Sequence, residues 1–299
     1  MTTATAKAGS VRAVVEVVTS EKTLEGGGFP VRRPFPTAQL MQVDPFLLLD
    51  HLGPVTWGPG EGIGAPDHPH RGFETVTYLL SGEMQHKDSA GHSGSLRPGD
   101  VQWMTAGAGV VHSELPSDAF MKNGGTLQGF QVWVNLPARD KMMMPRYQDI
   151  PASRIPEATS ADGKAKVRVI AGESLGQSAV IETHTPILYL HFTLQHGAEI
   201  TQPVPENFNA LAYVIRGELR AGDEGRLVRE GQMASFGGGD AVRLAVDDKA
   251  TEPADLLLLA GQPLNEPVER YGPFVMNTRQ EIVQAIRDYN EGRLGKIDF

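Results

Sequence analysis

At 299 residues the chain is long enough for two domains, each able to bury a core without covalent staples. Its 34 glycines and 21 prolines favour short strands and many turns, and the lack of cysteine excludes disulfides, thiolate metal ligation and a cysteine nucleophile. A formal net charge of -9 without a basic run argues against direct nucleic-acid binding, and no stretch reaches the ~18 apolar residues of a membrane helix.

In chain order, the opening MTTATAKAGSVRAVVEVVTS has no apolar core followed by a cleavage site and reads as mature protein. Strands are expected over 74–80, 101–104, 130–136, 187–194 and 256–260. They are short and not interleaved with helices, which argues for a sandwich or barrel. The stretch 137–161, rich in proline, reads as an inter-domain connection. Near the end, Thr278-x-x-Glu281 is a capping-box pattern; Ile282, Val283, Ala285, Ile286 and Tyr289 follow at helical spacing before Gly292.

A faint internal repeat runs through this order. Tyr78-Leu79-Leu80-Ser81-Gly82-Glu83 precedes a second glycine turn at Gly99, and Tyr213-Val214-Ile215-Arg216-Gly217-Glu218 precedes one at Gly231. Each unit reads as a hairpin of strand, glycine turn, return strand and second turn. Two similar β-domains are expected, with boundaries at 1–140, a connector over 141–160, and 161–299.

The chemistry-bearing residues lie in the first half. On an extended backbone His68 and His70 point to the same side, with Pro69 stiffening the link. His112 and Glu114 repeat that spacing after the turn Gly107-Ala108-Gly109. If the two strands face each other across a barrel, three imidazole nitrogens and one carboxylate oxygen converge. A lone His-x-His more often serves a turn or a polar contact than a metal. The second pair shifts that balance, and so does the other half, where the equivalent positions are Pro203, Pro205 and the neighbourhood of Leu244 and Val246.

The other candidates have plainer readings. His86 and His92, in a polar hairpin, read as solvated; His184, His191 and His196 lack a carboxylate at matched spacing and read as strand or turn histidines. Met142, Met143 and Met144 read as a plug between domains, and Trp103 and Trp133 as core or pocket wall. Gly107 and Gly109 lack the Lys-Ser/Thr sequel of a phosphate loop.

The run HPHRGFETVTYLLSGEMQHKDSAGHSGSLRPGDVQWMTAGAGVVHSELP resembles the N-terminal cupin of the pirin family, and QVWVNLP and YGPFVMNT resemble later parts of it. The resemblance spans most of the chain. It implies an all-β fold of two cupin (jelly-roll β-barrel) domains with a short C-terminal helix. It also implies one divalent metal ion, usually iron as Fe(2+), held by His68, His70, His112 and Glu114. Glu74, where the general cupin pattern places a glutamate ligand, is not a ligand in pirins and reads as a strand residue.

Two functions follow from that resemblance. Pirins resemble quercetin 2,3-dioxygenases, so the chain is expected to be an oxidoreductase that opens a flavonol-like aromatic substrate with dioxygen and releases CO. Glu114, a carboxylate within reach of the substrate hydroxyl, is then the catalytic base. The alternative is an iron- and redox-responsive regulator acting through a protein partner, a transcriptional co-regulator or modulator of a metabolic enzyme. In either case a cytoplasmic monomer is expected, without membrane or direct nucleic-acid binding.

Overall fold

The computed structural model describes residues 10–299; the start of the segment read as mature protein lies outside the described residues. The chain forms two compact units, one of residues Met1–Thr19, Pro156–Val180 and Pro186–Pro263, the other of Ser20–Ile155, Ile181–Thr185 and Leu264–Phe299. A single cut at 141–160 does not describe this partition. The C-terminal segment belongs to the unit that carries His68, because its strand pair and helix pack there.

Both units are all-β and share one plan. In the histidine-bearing unit a seven-stranded antiparallel sheet runs Arg146–Ile150, Val101–Thr105, Phe73–Ser81, Gly125–Asn135, Phe46–Trp57, Phe29–Phe35, Glu21–Glu25. A four-stranded sheet runs Ala65–His70, Val110–Pro116, Met84–Asp88, Ser93–Leu96. The other unit repeats this as seven strands from Val14–Thr19 to Glu157–Thr159, and four strands in the order Glu199–Pro203, Ala241–Ala245, Glu218–Ala221, Arg226–Arg229. The internal repeat is therefore real, and these are two cupin barrels.

The glycine turns do a different job from the one the hairpin reading gave them. Phe73–Ser81 lies in the seven-stranded sheet and Met84–Asp88 in the four-stranded one, so the chain changes sheets at Gly82. It crosses back beside Gly99. A corner this sharp needs left-handed backbone, and Gly82 (φ 87°) and Gly217 (φ 76°) supply it at matching places in the two units. The stretch read as a connector also holds more structure than expected. Arg146–Ile150 completes the seven-stranded sheet against Val101–Thr105, and its proline-rich flanks hid a strand of only 5 residues.

The terminal helix spans Arg279–Asn290 with the anticipated capping box, Thr278 accepting from the Glu281 amide and Glu281 accepting from the Thr278 amide. Ile282 and Ala285 pack on Phe274, Met276, Val111 and Leu294, while Val283 and Tyr289 are exposed. A short helix, Asp118–Asn123, capped by Ser117, escaped the sequence reading because it is too short for a helical period to show. Met142 and Met144 are 56% and 80% exposed, and Met143 between them is half-buried.

The C-terminal segment is stitched to the turn after His70. The buried Lys141 ammonium donates to the carbonyls of Gly72 (2.7 Å) and Val275 (3.1 Å) and to Asn135 Oδ1 (2.7 Å). Val275 N donates to Arg71 O, and a Cβ at Gly72 would lie 2.0 Å from Val275 O. Arg71 donates to Asp288 (2.7 Å) on the helix and to Ala108 O (2.6 Å). Replacing Lys141 by methionine strands three buried acceptors. Lys141→Met is expected to cost about 2–4 kcal/mol in denaturant unfolding and to lower the melting temperature.

Candidate metal centre

Ala65–His70 is the edge strand of the four-stranded sheet, which is why it tolerates Pro66 and Pro69. It pairs antiparallel with Val110–Pro116, setting His68 directly opposite His112, and the register slips between His112 and Glu114. The two strands are thus hydrogen-bonded neighbours in one sheet and do not face each other across the barrel. Convergence comes from cross-strand adjacency, where opposed side chains lie within a few ångströms. The ring centroids of His68 and His112 are 4.4 Å apart, those of His70 and His112 4.9 Å, and those of His68 and His70 4.7 Å.

Each of the three imidazoles offers a nitrogen within 4.8 Å of the others, the one such group among the described residues. The ring chemistry fits a metal. His68 Nδ1 lies 2.7 Å from Pro66 O and His70 Nδ1 3.4 Å from Pro273 O. A carbonyl can only accept, so both Nδ1 atoms carry a proton, which leaves Nε2 as the nitrogen of each ring that can face a metal. His112 is fully buried and, among the described residues, neither of its ring nitrogens has a hydrogen-bond partner. A buried imidazole left that way is costly, and a metal ion would satisfy it. Burial, then the neighbouring imidazoles, holds His70 and His112 well below the usual histidine range, so both stay neutral and able to coordinate.

Glu114 does not join that group: it stands opposite Ala65 beyond the register slip, and it lines the same cavity, of about 610 Å³, as His68 and His70. Its Oε1 lies 2.7 Å from Thr77 Oγ1, which lies 2.7 Å from the Gln131 side-chain amide. Thr77 and Gln131 are themselves opposed on paired strands. One hydroxyl proton cannot serve two acceptors. With the Gln131 NH₂ turned toward Thr77, each group is satisfied: Gln131 donates to Thr77, and Thr77 donates to the carboxylate. Glu114 then has one oxygen anchored and one free. Sequence reading missed Thr77 and Gln131; polar residues at inward positions of strands were the available signal.

Glu74 sits on the opposite face of its strand from Thr77 and does not line the cavity. Its Oε1 accepts from Thr105 (2.6 Å), and burial, against that bond, pushes its carboxyl up to about 7. His86 is not solvated: it is 2% exposed, stacked on Tyr147 at 5.4 Å and 3.4 Å from Asp149. Strand alternation turns it inward with Met84. His92 is exposed, as expected, and paired with Asp88. His184, His191 and His196 join no such group among the described residues. Trp103 is fully buried and Trp133 walls the cavity.

In the second barrel the counterpart strands place Ile200 opposite Leu244 and Gln202 opposite Val242. Val242 and Leu244 join a core with Val167, Leu190, Phe192, Val214 and Leu256, so apolar side chains fill that interior.

Two expected outcomes follow. Thr77→Val removes the donor that aims Glu114; divalent-metal affinity, measured by titration, should fall about 10- to 100-fold, with Thr77→Ser near wild type. Between the ordinary 4.5 and about 7, folded Glu74 holds a proton that the unfolded chain releases. Stability therefore falls as pH rises through that window, and Glu74→Gln should flatten the slope, gaining up to about 3 kcal/mol at pH 8 in urea melts and little at pH 4.

Comparison with known proteins places these features in context. The family model described as Pirin matches residues 28–134, and that described as Pirin C-terminal cupin domain matches 189–295. A pirin-like protein of Solanum lycopersicum is 46% identical over 285 residues, covering 95% of this chain and 93% of its own. Pirin of Homo sapiens is 43% identical over 290 residues, covering 96% and 95%. The crystal structure of a quercetin 2,3-dioxygenase from Acinetobacter baumannii superposes with a TM-score of 0.89 at 39% identity, over 97% of this chain and 100% of that one.

Proposed function

The chain belongs to the pirin family, and from that premise we propose that it is an iron-dependent dioxygenase of the quercetinase type, opening a flavonol-like substrate with dioxygen and releasing carbon monoxide. The observation that carries this reading is the cluster of three imidazoles, two of which line a cavity of about 610 Å³, large enough for a two- or three-ring ligand. His68, His70, His112 and Glu114 would hold the ion. Iron bound by three nitrogens and one carboxylate oxygen keeps open positions and supplies Lewis acidity and the one-electron chemistry that dioxygen requires.

The chain's own residues do the rest. Pro66 O and Pro273 O fix the rings of His68 and His70. Glu114, with one oxygen held by Thr77, takes the proton from the flavonol hydroxyl next to the carbonyl, leaving an electron-rich enolate. Trp133, Phe29 and Leu48 give the substrate rings an apolar wall and exclude water. Both oxygen atoms of dioxygen end in the cleaved product, whose lost ring carbon leaves as CO. Protein loaded anaerobically with Fe(2+) is expected to consume quercetin and dioxygen and to release CO. His70→Ala should lose turnover by more than about a hundredfold while still unfolding cooperatively; unchanged turnover would remove the mechanism.

A second reading, a cytoplasmic redox-responsive regulator acting through a protein partner, draws on one observation. With no cysteine, the chain has no thiol to report redox state, which leaves that role to a bound metal in this reading. A partner captured equally in both iron oxidation states, or in neither, counts against it.

A further inference from the structure

The cavity wall carries two guanidinium groups in very different circumstances. Arg33 is fully engaged: its Nε and Nη2 meet Asp50 at 2.7 and 2.5 Å, and Nη2 also meets Glu25 at 2.6 Å. Arg270 has no carboxylate partner among the described residues. It lies on the strand Glu269–Tyr271, and of its five N–H donors one is used, on Leu47 O at 3.2 Å. Its guanidinium lies over the Trp133 ring, 4.8 Å from the centroid, and the Trp133 ring in turn stands 5.3 Å from that of His70. Burial, then the adjacent Arg33, makes the charge on Arg270 less favourable than in water, against the partial support of Glu25 and Asp50. An arriving anion relieves both costs.

Of the acidic side chains that line the cavity, Asp50 and Glu25 form ion pairs with Arg33 and Glu114 accepts from Thr77; none of these, nor Asp67, forms an ion pair with Arg270 among the described residues. The cavity therefore presents three successive features along one wall: the imidazole cluster, an aromatic face, and a cationic fork with free donors.

We propose that Arg270 makes this cavity selective for an aromatic ligand bearing a carboxylate, the ring lying along Trp133 between the imidazole cluster and the guanidinium. The inference rests on the reading of the cavity as the substrate site and adds a carboxylate to the features of the flavonol-like ligand class proposed above. Arg270 is a specificity determinant here and takes no part in bond breaking. Lysine cannot replace it fully, because a planar fork meets both carboxylate oxygens and an ammonium does not.

The test is binding, measured by calorimetry on iron-loaded protein under anaerobic conditions with protocatechuate and its neutral amide as probes. Wild type should prefer the acid by about 10-fold or more, the range of a hydrogen-bonded charge pair. Arg270→Gln should lose the acid preference and bind both probes alike, and Arg270→Lys should keep part of the preference. Equal affinities in wild type, or a preference that survives in Arg270→Gln, would overturn the proposal; the latter would mean that the metal alone holds the carboxylate. If Arg270→Gln fails to fold, the wild-type ratio and Arg270→Lys still decide. Failure of quercetin turnover with the acid preference intact rejects only the dioxygenase reading; intact turnover without the preference rejects only this one.

Discussion

The antiparallel register of Ala65–His70 on Val110–Pro116 is the constraint on which the site depends. It sets His68 against His112 and lets His70 complete the cluster from the next inward position. A slip of one residue would turn every one of these side chains to the other face of the sheet. The pairing is held from outside as well as within. Arg71 and Gly72, which end the strand, are fixed by Ala108, Asp288, Val275 and Lys141. A strand at the edge of a sheet, carrying two prolines and few ladder bonds, needs that external support to hold imidazoles still.

The same fixation explains why the C-terminal segment belongs to the histidine-bearing unit. Pro273 orients His70 through its carbonyl, Arg270 and Pro273 wall the cavity, and the helix anchors Arg71 through Asp288. Residues some 200 positions apart in the chain thus define one pocket. Its polar interior is costly, and pairing offsets part of that cost: Arg33 with Asp50 and Thr77 with Glu114 in the wall, Lys141 with three oxygens behind it. His112 has no hydrogen-bond partner on either ring nitrogen among the described residues, and an unpaired buried imidazole beside two others is the strongest local argument for a metal.

The two barrels show how little of the fold is committed to chemistry. Both use a seven-stranded and a four-stranded sheet with glycine corners at Gly82 and Gly217. One interior keeps a cavity lined by polar side chains; the other is packed with valine, leucine and phenylalanine. Strand alternation alone decides which residues face inward, so exchanging a few inward positions converts a site into a core without disturbing the sheets.

Much of this was legible in the sequence, because it is encoded within a few residues. The His-x-His and His-x-Glu spacings, the glycine corners, the capping box at Thr278 and Glu281, and the absence of histidine from the second barrel's counterpart strands all depend on local backbone geometry. What only the tertiary structure decided depends on which strands become neighbours. That includes the adjacency of the two histidine strands, the inward turn of His86, the hold of Thr77 on Glu114, the anchoring of Arg71 by Asp288 and the place of Arg270 over Trp133. No period or spacing in one segment reports the partner it will meet across a barrel, and the contacts that aim the site are made by such partners.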